Sequence, residues 1–323
     1  MNITKGMLNK ELQGNYWVLK LVALLLSKTW SVWLINKLGG TNKSKDFPGL
    51  ICEEVFIPSR NGNHKIRIRI FKPLNRSCKL PGMLYIHGGG YITGNPESFI
   101  DVMKRFIDTK PCVIVAPAYR LALDAPFPAA FDDCYDSLLW IKENSETLGI
   151  FPNSFIVAGH SAGGGLTAAV TLKATATKDV HVAFQMPIYP MIDDRQVTYS
   201  VSNNNAPVWN SRSNKYAWGQ YLLDYNAKNL EIPPYAAAAR AKDFTKLPPT
   251  ITFVGDLDVF RDETMEYVDH LKKAGIPVEF ELFLGCFHAF DVVSPEAKIS
   301  KDAWSFLLRS YSDYMDLYIK GTN

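Results

Sequence analysis

The sequence has few cysteines, and they suggest no disulfide framework. Its five cysteines are Cys52, Cys78, Cys112, Cys134 and Cys286, with no CxxC pair among them. An odd number leaves at least one cysteine unpaired in any disulfide scheme, which argues against a small disulfide-stabilised fold. Isolated thiols of this kind are typical of a reducing compartment. We therefore expect a cytoplasmic location.

The chain also lacks blocks of like charge. It contains 35 Lys and Arg against 32 Asp and Glu, which gives a net charge of +3. The densest basic run, Lys65-Ile-Arg67-Ile-Arg69, alternates basic and apolar residues as a strand with one solvated face does. Recognition of nucleic acid depends on a strong positive field, which this distribution does not supply. Nucleic acid is therefore excluded as the expected partner.

No apolar run is long enough to cross a bilayer. Residues 21–38 are the most apolar, but Lys28 and Lys37 interrupt them well short of the roughly 20 apolar residues of a membrane span. This run also starts late for a signal peptide, after Glu11, and lacks a small-residue cleavage site. We predict no integral membrane segment and an amphipathic surface or cap helix here, with peripheral membrane contact as the alternative.

What the sequence does contain is a regular alternation of strands and helices. Short apolar strands are predicted at residues 83–86, 112–116, 155–158, 181–187, 250–254 and 278–284, and helices at 99–108, 129–144, 163–174, 262–274 and 297–318. Strands buried on both faces and separated by helices indicate an α/β fold with a mostly parallel, doubly wound sheet. Two earlier strands, 52–57 and 65–71, joined through Asn61-Gly62, predict an antiparallel hairpin at the sheet edge.

Two segments depart from this alternation. Residues 1–45 show helical apolar spacing and end near Gly39-Gly40, while residues 195–240 are rich in Asn, Tyr, Trp and Pro. We predict a catalytic domain over 46–323 and a helical cap built from 1–45 and the insertion 195–240. The aromatic side chains of the cap either line an apolar pocket or pack the cap together, and we favour packing: Trp30, Trp33, Trp209, Tyr216 and Trp218.

A serine follows the predicted strand 155–158 at a glycine-rich turn. Gly159-His-Ser161-Ala162-Gly163 matches G-x-S-x-G between a buried strand and a helix, the context that this nucleophile motif requires. The sharp turn holds the serine in a strained conformation, so the positions two residues to either side must be almost free of side chain. We predict that Ser161 is a nucleophile and that Ala162 offers its backbone N–H to the substrate. A merely glycine-rich start of a helix is the alternative.

A second glycine run follows strand 83–86. His87-Gly88-Gly89-Gly90 is the HGGG pattern that supplies oxyanion-hole N–H groups in esterases and lipases. Each such donor is worth about 3 kcal/mol in acyl transfer. A phosphate-binding loop is the rival interpretation, but no G-K-[ST] follows and no G-x-G-x-x-G with a later acid is present. We therefore predict an oxyanion hole here.

A serine nucleophile needs a histidine base, and three histidines follow Ser161. His181 opens a predicted strand and His270 lies in a predicted helix with charged neighbours. His288 comes just after the last strand, at the sheet edge where active-site loops collect. We predict that His288 is the base, whereas His160, next to the nucleophile, packs beside the site.

The histidine in turn needs a carboxylate to orient it. Asp258 follows strand 250–254 at the same sheet edge, and the order Ser, Asp, His is that of α/β-hydrolases. From position alone, Asp256 remains the competing residue. Asp262 or Glu263 is predicted to cap the next helix.

Four motifs together resemble the hormone-sensitive-lipase-like esterases from about Ile51 to the C-terminus. They are His87-Gly-Gly-Gly-Tyr91, Tyr119-Arg-Leu-Ala122 with Pro126-Phe-Pro-Ala-Ala130, Gly159-His-Ser-Ala-Gly-Gly164, and Asp258-x-x-Arg-Asp-Glu263 with His288-Ala-Phe290. The resemblance implies a capped α/β-hydrolase fold, no cofactor or metal, and hydrolysis of short or medium acyl esters. It also selects Asp258 over Asp256 and implies that Gly89, Gly90 and Ala162 donate to the oxyanion while Gly88 shapes the loop.

The sequence departs from the family pattern at three places. The residue before the nucleophile, usually acidic, is His160; the usual Pro-Leu after the acid is Val259-Phe260; and the usual His-Gly-Phe is His288-Ala-Phe290. None of these changes removes Ser161, Asp258 or His288. We expect a serine carboxylesterase acting on small acyl esters. An amidase, carbamate hydrolase, peptidase or acyltransferase with the same residues, a non-catalytic small-molecule receptor, and a homodimeric assembly are left open.

Overall fold

The structure is a computed structural model that describes residues 1–39, 46–75 and 78–319. In these residues one eight-stranded sheet has the order β1-β2-β4-β3-β5-β6-β7-β8. The strands are β1 Leu50–Pro58, β2 Lys65–Pro73, β3 Leu80–Ile86, β4 Val113–Pro117, β5 Ile150–His160, β6 Val182–Ile188, β7 Thr250–Gly255 and β8 Val278–Phe283. β2 is antiparallel to both of its neighbours, and all other neighbours are parallel.

Helices cover both faces of this sheet and connect its parallel strands. They are α1 Tyr16–Leu25, α2 Thr29–Gly39, α3 Ile100–Thr109, α4 Ala129–Glu143, α5 Ser145–Leu148, α6 Ala162–Thr177, α7 Ser211–Tyr221, α8 Leu223–Ala227, α9 Arg261–Lys273, α10 Phe290–Val293 and α11 Lys298–Tyr318. All residues of β3 and β6 are buried, as expected for strands covered on both faces. The predicted α/β class with a mostly parallel sheet is confirmed.

The predicted hairpin forms the antiparallel edge of the sheet. β1 and β2 pair from Leu50 opposite Pro73 to Pro58 opposite Lys65. Gly62 in the connecting loop has a φ of 73°, a left-handed conformation that suits glycine.

The parallel strands bring the predicted functional residues to one sheet edge. His87 follows β3, Ser161 follows β5, Asp258 follows β7 and His288 follows β8. Loops at the carboxyl ends of parallel strands collect at a single edge, which is where α/β proteins place their binding sites.

The N-terminal helices contact the insertion between β6 and β7. Tyr216 on α7 donates from its hydroxyl to Thr29 Oγ1 at 3.0 Å, and the backbone N–H of Val208 donates to Leu19 O at 3.0 Å. The insertion contains the short helices α7 and α8, as predicted. Gly39 ends α2, whereas Gly40 and the remainder of the predicted cap segment up to residue 45 lie outside the described residues.

The five cap aromatics differ in environment, and the prediction that they pack the cap together is wrong for the exposed Trp30 and Trp33. Trp218 is buried, with its ring 5.9 Å from that of Tyr221 in the cap, as predicted, and 5.5 Å from that of Tyr91 in the glycine loop. Trp209 reaches the predicted site. Trp30 and Trp33 are 64% and 58% exposed.

None of the five cysteines forms a disulfide. Within the described ranges, no single helix has the length and apolar composition to cross a membrane. α1 and α2 reach that composition only when taken as a pair, and the two helices are bent by 104° at the break between them.

Candidate active site

Ser161 occupies a sharp turn between β5 and α6. Its φ of 59° and ψ of −120° are strained for a residue with a side chain. A Cβ on Gly159 would lie 2.6 Å from Ile86 O, and one on Gly163 would lie 2.0 Å from the same atom, so both positions exclude a side chain. The N–H of Ser161 donates to Ile188 O at 2.9 Å. The packing of β3 against β5 and α6 therefore fixes the turn that presents the serine.

Ser161, His288 and Asp258 form a continuous line of hydrogen bonds. His288 Nε2 lies 2.8 Å from Ser161 Oγ, and His288 Nδ1 lies 2.8 Å from Asp258 Oδ2. Asp258 also accepts from the N–H of Phe260 at 2.9 Å, which fixes the carboxylate. A proton on Nδ1, donated to Asp258, leaves Nε2 free to accept from the serine hydroxyl. The structure thus brings together the three residues that the sequence predicted to act together.

Asp256, the competing acid, has a different contact set. Its Oδ1 accepts from the N–H of Gly285 at 2.6 Å and of Cys286 at 3.3 Å. These bonds hold the loop that carries His288 two residues further on. Asp256 therefore contacts the backbone of the histidine loop, while Asp258 contacts the imidazole itself.

The prediction that Asp262 or Glu263 caps a helix is wrong. The residue before α9 is Phe260, whose side chain makes no capping hydrogen bond, and the N–H of Asp262 donates to Ser200 Oγ at 3.1 Å. Asp262 instead accepts from the N–H of Ser200 at 2.7 Å, and Glu263 accepts from that of Ile192 at 2.8 Å. Burial raises the pKa of Glu263 well above its usual value. Both carboxyl groups thus hold the segment that follows β6 instead of capping their own helix.

The first glycine of the loop after β3 lies against the nucleophile. A Cβ on Gly88 would lie 2.9 Å from His160 O and 3.5 Å from Ser161 Cβ, so a side chain there would enter the site. The preceding residue anchors the loop. The His87 ring stacks on Tyr119 at 4.1 Å between centroids, and the Tyr119 hydroxyl donates to His87 O at 3.0 Å. Burial lowers the pKa of His87 to about 4, so this anchor is neutral.

Gly89 and Gly90 hold the loop in conformations that favour glycine. Their φ values are 119° and 61°, and an added Cβ would lie 2.0 Å from Thr93 O and 2.1 Å from the Trp209 ring, respectively. In the part of the chain that the structure describes, neither N–H makes a hydrogen bond. Ala162, the first residue of α6, lies where helical N–H groups have no partner within the helix. These three N–H groups are the predicted oxyanion donors.

A small, mainly apolar cavity of about 120 Å³ adjoins Ser161 and His288. Its apolar walls come from distant parts of the chain and include Leu26, Phe99, Val208, Trp209 and Val292. Apolar walls around a few polar groups are typical of a small-molecule site. Among the described residues, no group of three His, Cys, Asp or Glu side chains is placed to hold a metal ion.

Comparison with known proteins agrees with this geometry. Residues 83–292 match the family model of the alpha/beta hydrolase fold. The chain belongs to the alpha/beta hydrolase family. The structure of a bacterial heroin esterase superposes with a TM-score of 0.87 and 32% identity, covering 97% of this chain and 99% of that one.

Two curated relatives of this hydrolase show the same likeness. The AB hydrolase superfamily protein C1039.03 of Schizosaccharomyces pombe is 27% identical over 315 residues, which are 92% of each chain. The carboxylesterase NlhH of Mycobacterium tuberculosis is 29% identical over 220 residues, 68% of this chain and 69% of that one. The predicted family and the predicted enzyme class, a carboxylic ester hydrolase, are confirmed.

The hydrolase departs from its family at His160, and the structure shows what the change does. His160 Nδ1 is hydrogen-bonded to the Tyr85 hydroxyl at 2.8 Å, and its ring packs 5.4 Å from that of Tyr189. Burial, helped by the charge of His288, lowers the pKa of His160 to about 3. The residue is therefore neutral and packs beside the site, as predicted, so it adds no charge where the family has an acid.

Sequence reasoning missed a buried carboxyl group behind the histidine. Asp291, on α10, accepts from the Tyr189 hydroxyl at 3.0 Å, and the Tyr189 ring lies 5.0 Å from that of His288. Burial raises the pKa of Asp291 to about 7. Leu26, which lines the cavity, was likewise not identified as a site residue, whereas Trp209 was named among the aromatic residues that either line a pocket or pack the cap. No local pattern marks Asp291 or Leu26, because only tertiary packing brings them to the site.

Proposed function

We propose that this hydrolase is a serine carboxylesterase that cleaves short- to medium-chain acyl esters through an acyl-enzyme on Ser161. The observation that carries the proposal is the hydrogen-bonded line from Ser161 through His288 to Asp258, with 2.8 Å at each step. A serine hydroxyl is a weak nucleophile until a neighbouring base takes its proton, and this geometry provides the base and its orienting carboxylate.

In the acylation step, Ser161 Oγ attacks the ester carbonyl carbon while its proton passes to His288 Nε2. The carbonyl oxygen becomes an oxyanion, which the N–H groups of Gly89, Gly90 and Ala162 stabilise. The tetrahedral intermediate collapses, the bond to the alcohol oxygen breaks, and the proton on His288 goes to the leaving alcohol. Asp258 stays ionised and stabilises the imidazolium in between.

In the deacylation step, water replaces the alcohol. His288 takes a proton from the water as its oxygen attacks the acyl carbon, and the same N–H groups stabilise the second oxyanion. The bond to Ser161 Oγ then breaks, the proton on His288 returns to the serine, and the carboxylic acid leaves. Since acid, base and nucleophile are all protein groups, the cycle uses no cofactor.

The size of the cavity supports a preference for the short end of the acyl range. Its volume of about 120 Å³ is small beside the roughly 300–1,000 Å³ of typical small-molecule sites. An acetyl, propionyl or butyryl chain fits this space. A long acyl chain requires the walls to move.

We also propose the division of the chain into a catalytic domain, 46–323, and a cap formed by 1–45 and 195–240. The contacts between α1–α2 and the insertion support this division, as do the cavity walls contributed by Leu26 and Trp209. The five unpaired cysteines support a reducing, cytoplasmic location.

Turnover of a series of p-nitrophenyl esters, from acetate to long-chain acyl groups, tests the proposal. We expect the activity to be greatest for acetate to butyrate and to fall for longer chains. In Ser161→Ala we expect a loss of about 10⁶-fold in kcat. A serine-directed phosphonate is expected to modify only the protein that retains Ser161. Retention of esterase activity by a folded Ser161→Ala variant would contradict the mechanism, and no ester turnover by the folded wild type would favour an amide substrate or a receptor.

A further inference from the structure

Helix α1 presents apolar residues to solvent along one stripe. Trp17, Val18, Leu21 and Leu24 are 72%, 63%, 54% and 44% exposed. Their spacing of one, four and seven residues from the first member places them on one face of a helix. An ordinary surface helix turns such a stripe towards the core, so α1 has an unpartnered apolar face.

Helix α2 also exposes an apolar stripe. Trp30, Trp33, Leu34 and Leu38 are 64%, 58%, 42% and 62% exposed, and their spacing of three, four and eight residues from the first member places them on one face of this helix. Single exposed apolar residues are common on proteins, but a run of large ones over two consecutive helices marks an interaction surface. Three of the seven tryptophans of the chain lie on this pair of helices.

The charges on α1 and α2 have one sign only. Residues 16–39 contain Lys20, Lys28 and Lys37 and no Asp or Glu. Lys28 and Lys37 are exposed, and Lys37 Nζ lies 5.0 Å from the centre of the Trp33 ring. The neighbouring helix α7 contributes exposed Arg212 and Lys215, again with no acidic residue. Such a surface is complementary to an anionic one.

A groove of about 420 Å³ lies beside the α1 stripe. Lys20, Leu24, Asn210 and Arg212 are among the residues that line it, and no carboxylate takes part in its described lining. Cationic and amide N–H donors next to an exposed leucine suit the phosphate of a lipid headgroup whose acyl chains lie over the apolar stripe.

We propose that α1, α2 and the adjoining cationic side of α7 dock on an anionic lipid bilayer. We call this surface the docking face; its members are Trp17, Val18, Leu21, Leu24, Lys28, Trp30, Trp33, Leu34, Lys37, Leu38, Arg212 and Lys215. Exposed Trp and Leu combined with lysines is the composition of helices that lie in the membrane interface. A second copy of the chain fits less well, because an isologous two-fold contact would set this all-cationic surface against itself.

The inner side of the same helices borders the candidate active site. Leu26, in the bend between α1 and α2, lines its cavity, and Asn36 on α2 donates to Ile92 O in the glycine loop at 2.8 Å. The helices therefore lie between the docking face and Ser161. Docking itself does not depend on the proposed esterase activity, so Ser161→Ala is expected to bind membranes as the wild type does.

Vesicle co-sedimentation of the full chain tests the proposal. We expect binding to vesicles of equimolar phosphatidylcholine and phosphatidylglycerol, weaker binding at high salt, and little binding to pure phosphatidylcholine. Trp30→Ser combined with Trp33→Ser is expected to weaken binding by about tenfold or more. Brominated acyl chains in the vesicles are expected to quench the tryptophan fluorescence of the wild type more than that of this variant.

Matched variants separate the docking face from general surface effects. Leu38→Ser is expected to weaken binding, whereas Leu317→Ser on α11, where Leu317 is 64% exposed, leaves it unchanged. Lys28→Gln with Lys37→Gln is expected to cost about fivefold in affinity per lysine, and Lys242→Gln with Lys272→Gln much less. All of these substitutions at surface leucines, tryptophans and lysines should leave the turnover of p-nitrophenyl acetate at the wild-type level, which reports an intact fold.

Four results would overturn the proposal. The first is no sedimentation of the wild type with the anionic vesicles, and the second is equal binding to pure phosphatidylcholine. The third is binding that the docking-face variants do not weaken. Sedimentation velocity accompanies the assay: a dimer that dissociates in the Trp30→Ser, Trp33→Ser variant would show that a second copy covers this face, which also overturns the proposal.

Discussion

Two aspartates follow β7, and we predict that an Asp→Asn substitution lowers catalytic activity at one of them, Asp258, and mainly lowers stability at the other, Asp256. Asp258 is fully buried and accepts the Nδ1 proton of His288 at 2.8 Å. In Asp258→Asn, the amide can instead donate to Nδ1, so the imidazole proton moves to Nε2 and faces Ser161 Oγ. His288 is then unable to take the serine proton. We expect kcat to fall by about 10⁴-fold, equivalent to about 5 kcal/mol, with the fold unchanged.

Asp256→Asn is the matched control. An asparagine there still accepts from the N–H groups of Gly285 and Cys286, with neutral instead of charge-assisted hydrogen bonds. We expect the free energy of unfolding to fall by about 1–2 kcal/mol and kcat to change less than tenfold. Steady-state turnover of p-nitrophenyl acetate and urea unfolding of both variants measure the two effects. Similar kcat values for the two variants, or a larger fall for Asp256→Asn, would refute the assignment of Asp258.

Two further predictions concern the glycine loop and the buried carboxyl group. Gly90→Ala should lose most esterase activity, because its Cβ would lie 2.1 Å from the Trp209 ring. Adding Trp209→Ala to this variant should restore part of the activity. If it restores none, the clash is not the cause of the loss. The pKa of Asp291, raised to about 7, means that the folded state keeps a proton that the unfolded state loses above about pH 4, so stability falls as pH rises through this window. Above pH 7, the free energy of unfolding of Asp291→Asn should therefore exceed that of the wild type by up to about 4 kcal/mol, and this difference should vanish towards pH 4. Urea unfolding at a series of pH values measures the difference. Parallel stability profiles of the two proteins would contradict the prediction.

The fold was predictable where strand signals are local. The mainly apolar sequences of β3 and β6 predict buried strands, and the residues around Gly62 predict a tight turn. Each of these signals is contained in a few consecutive residues. β5 shows the limit: it begins at Ile150, five residues before the predicted start at Phe155. Its first half contains Pro152 and Asn153, which disfavour a strand, and the pairing of Ile150 with Leu80 of β3 imposes it nonetheless.

The candidate site was predictable where backbone geometry demands glycine. Gly88 and Gly163 have no room for a Cβ, and this requirement is visible in the sequence as a motif. The partners of Asp262 and Glu263 were not predictable, since Ser200 lies 62 residues before Asp262 and Ile192 lies 71 residues before Glu263. Local capping statistics favoured the wrong contacts there.

Because Gly90 packs against Trp209, the size of the cavity and the position of the oxyanion N–H groups depend on the same side chain. Trp209 is both a wall of the cavity and the surface on which the glycine loop rests. A smaller residue at this position would admit a longer acyl chain but would also release the N–H groups that must stay aimed at the oxyanion. Variants selected for bulkier esters through Trp209 would therefore start from a slower enzyme, and compensating changes would be expected where Thr93 supports the other side of the loop.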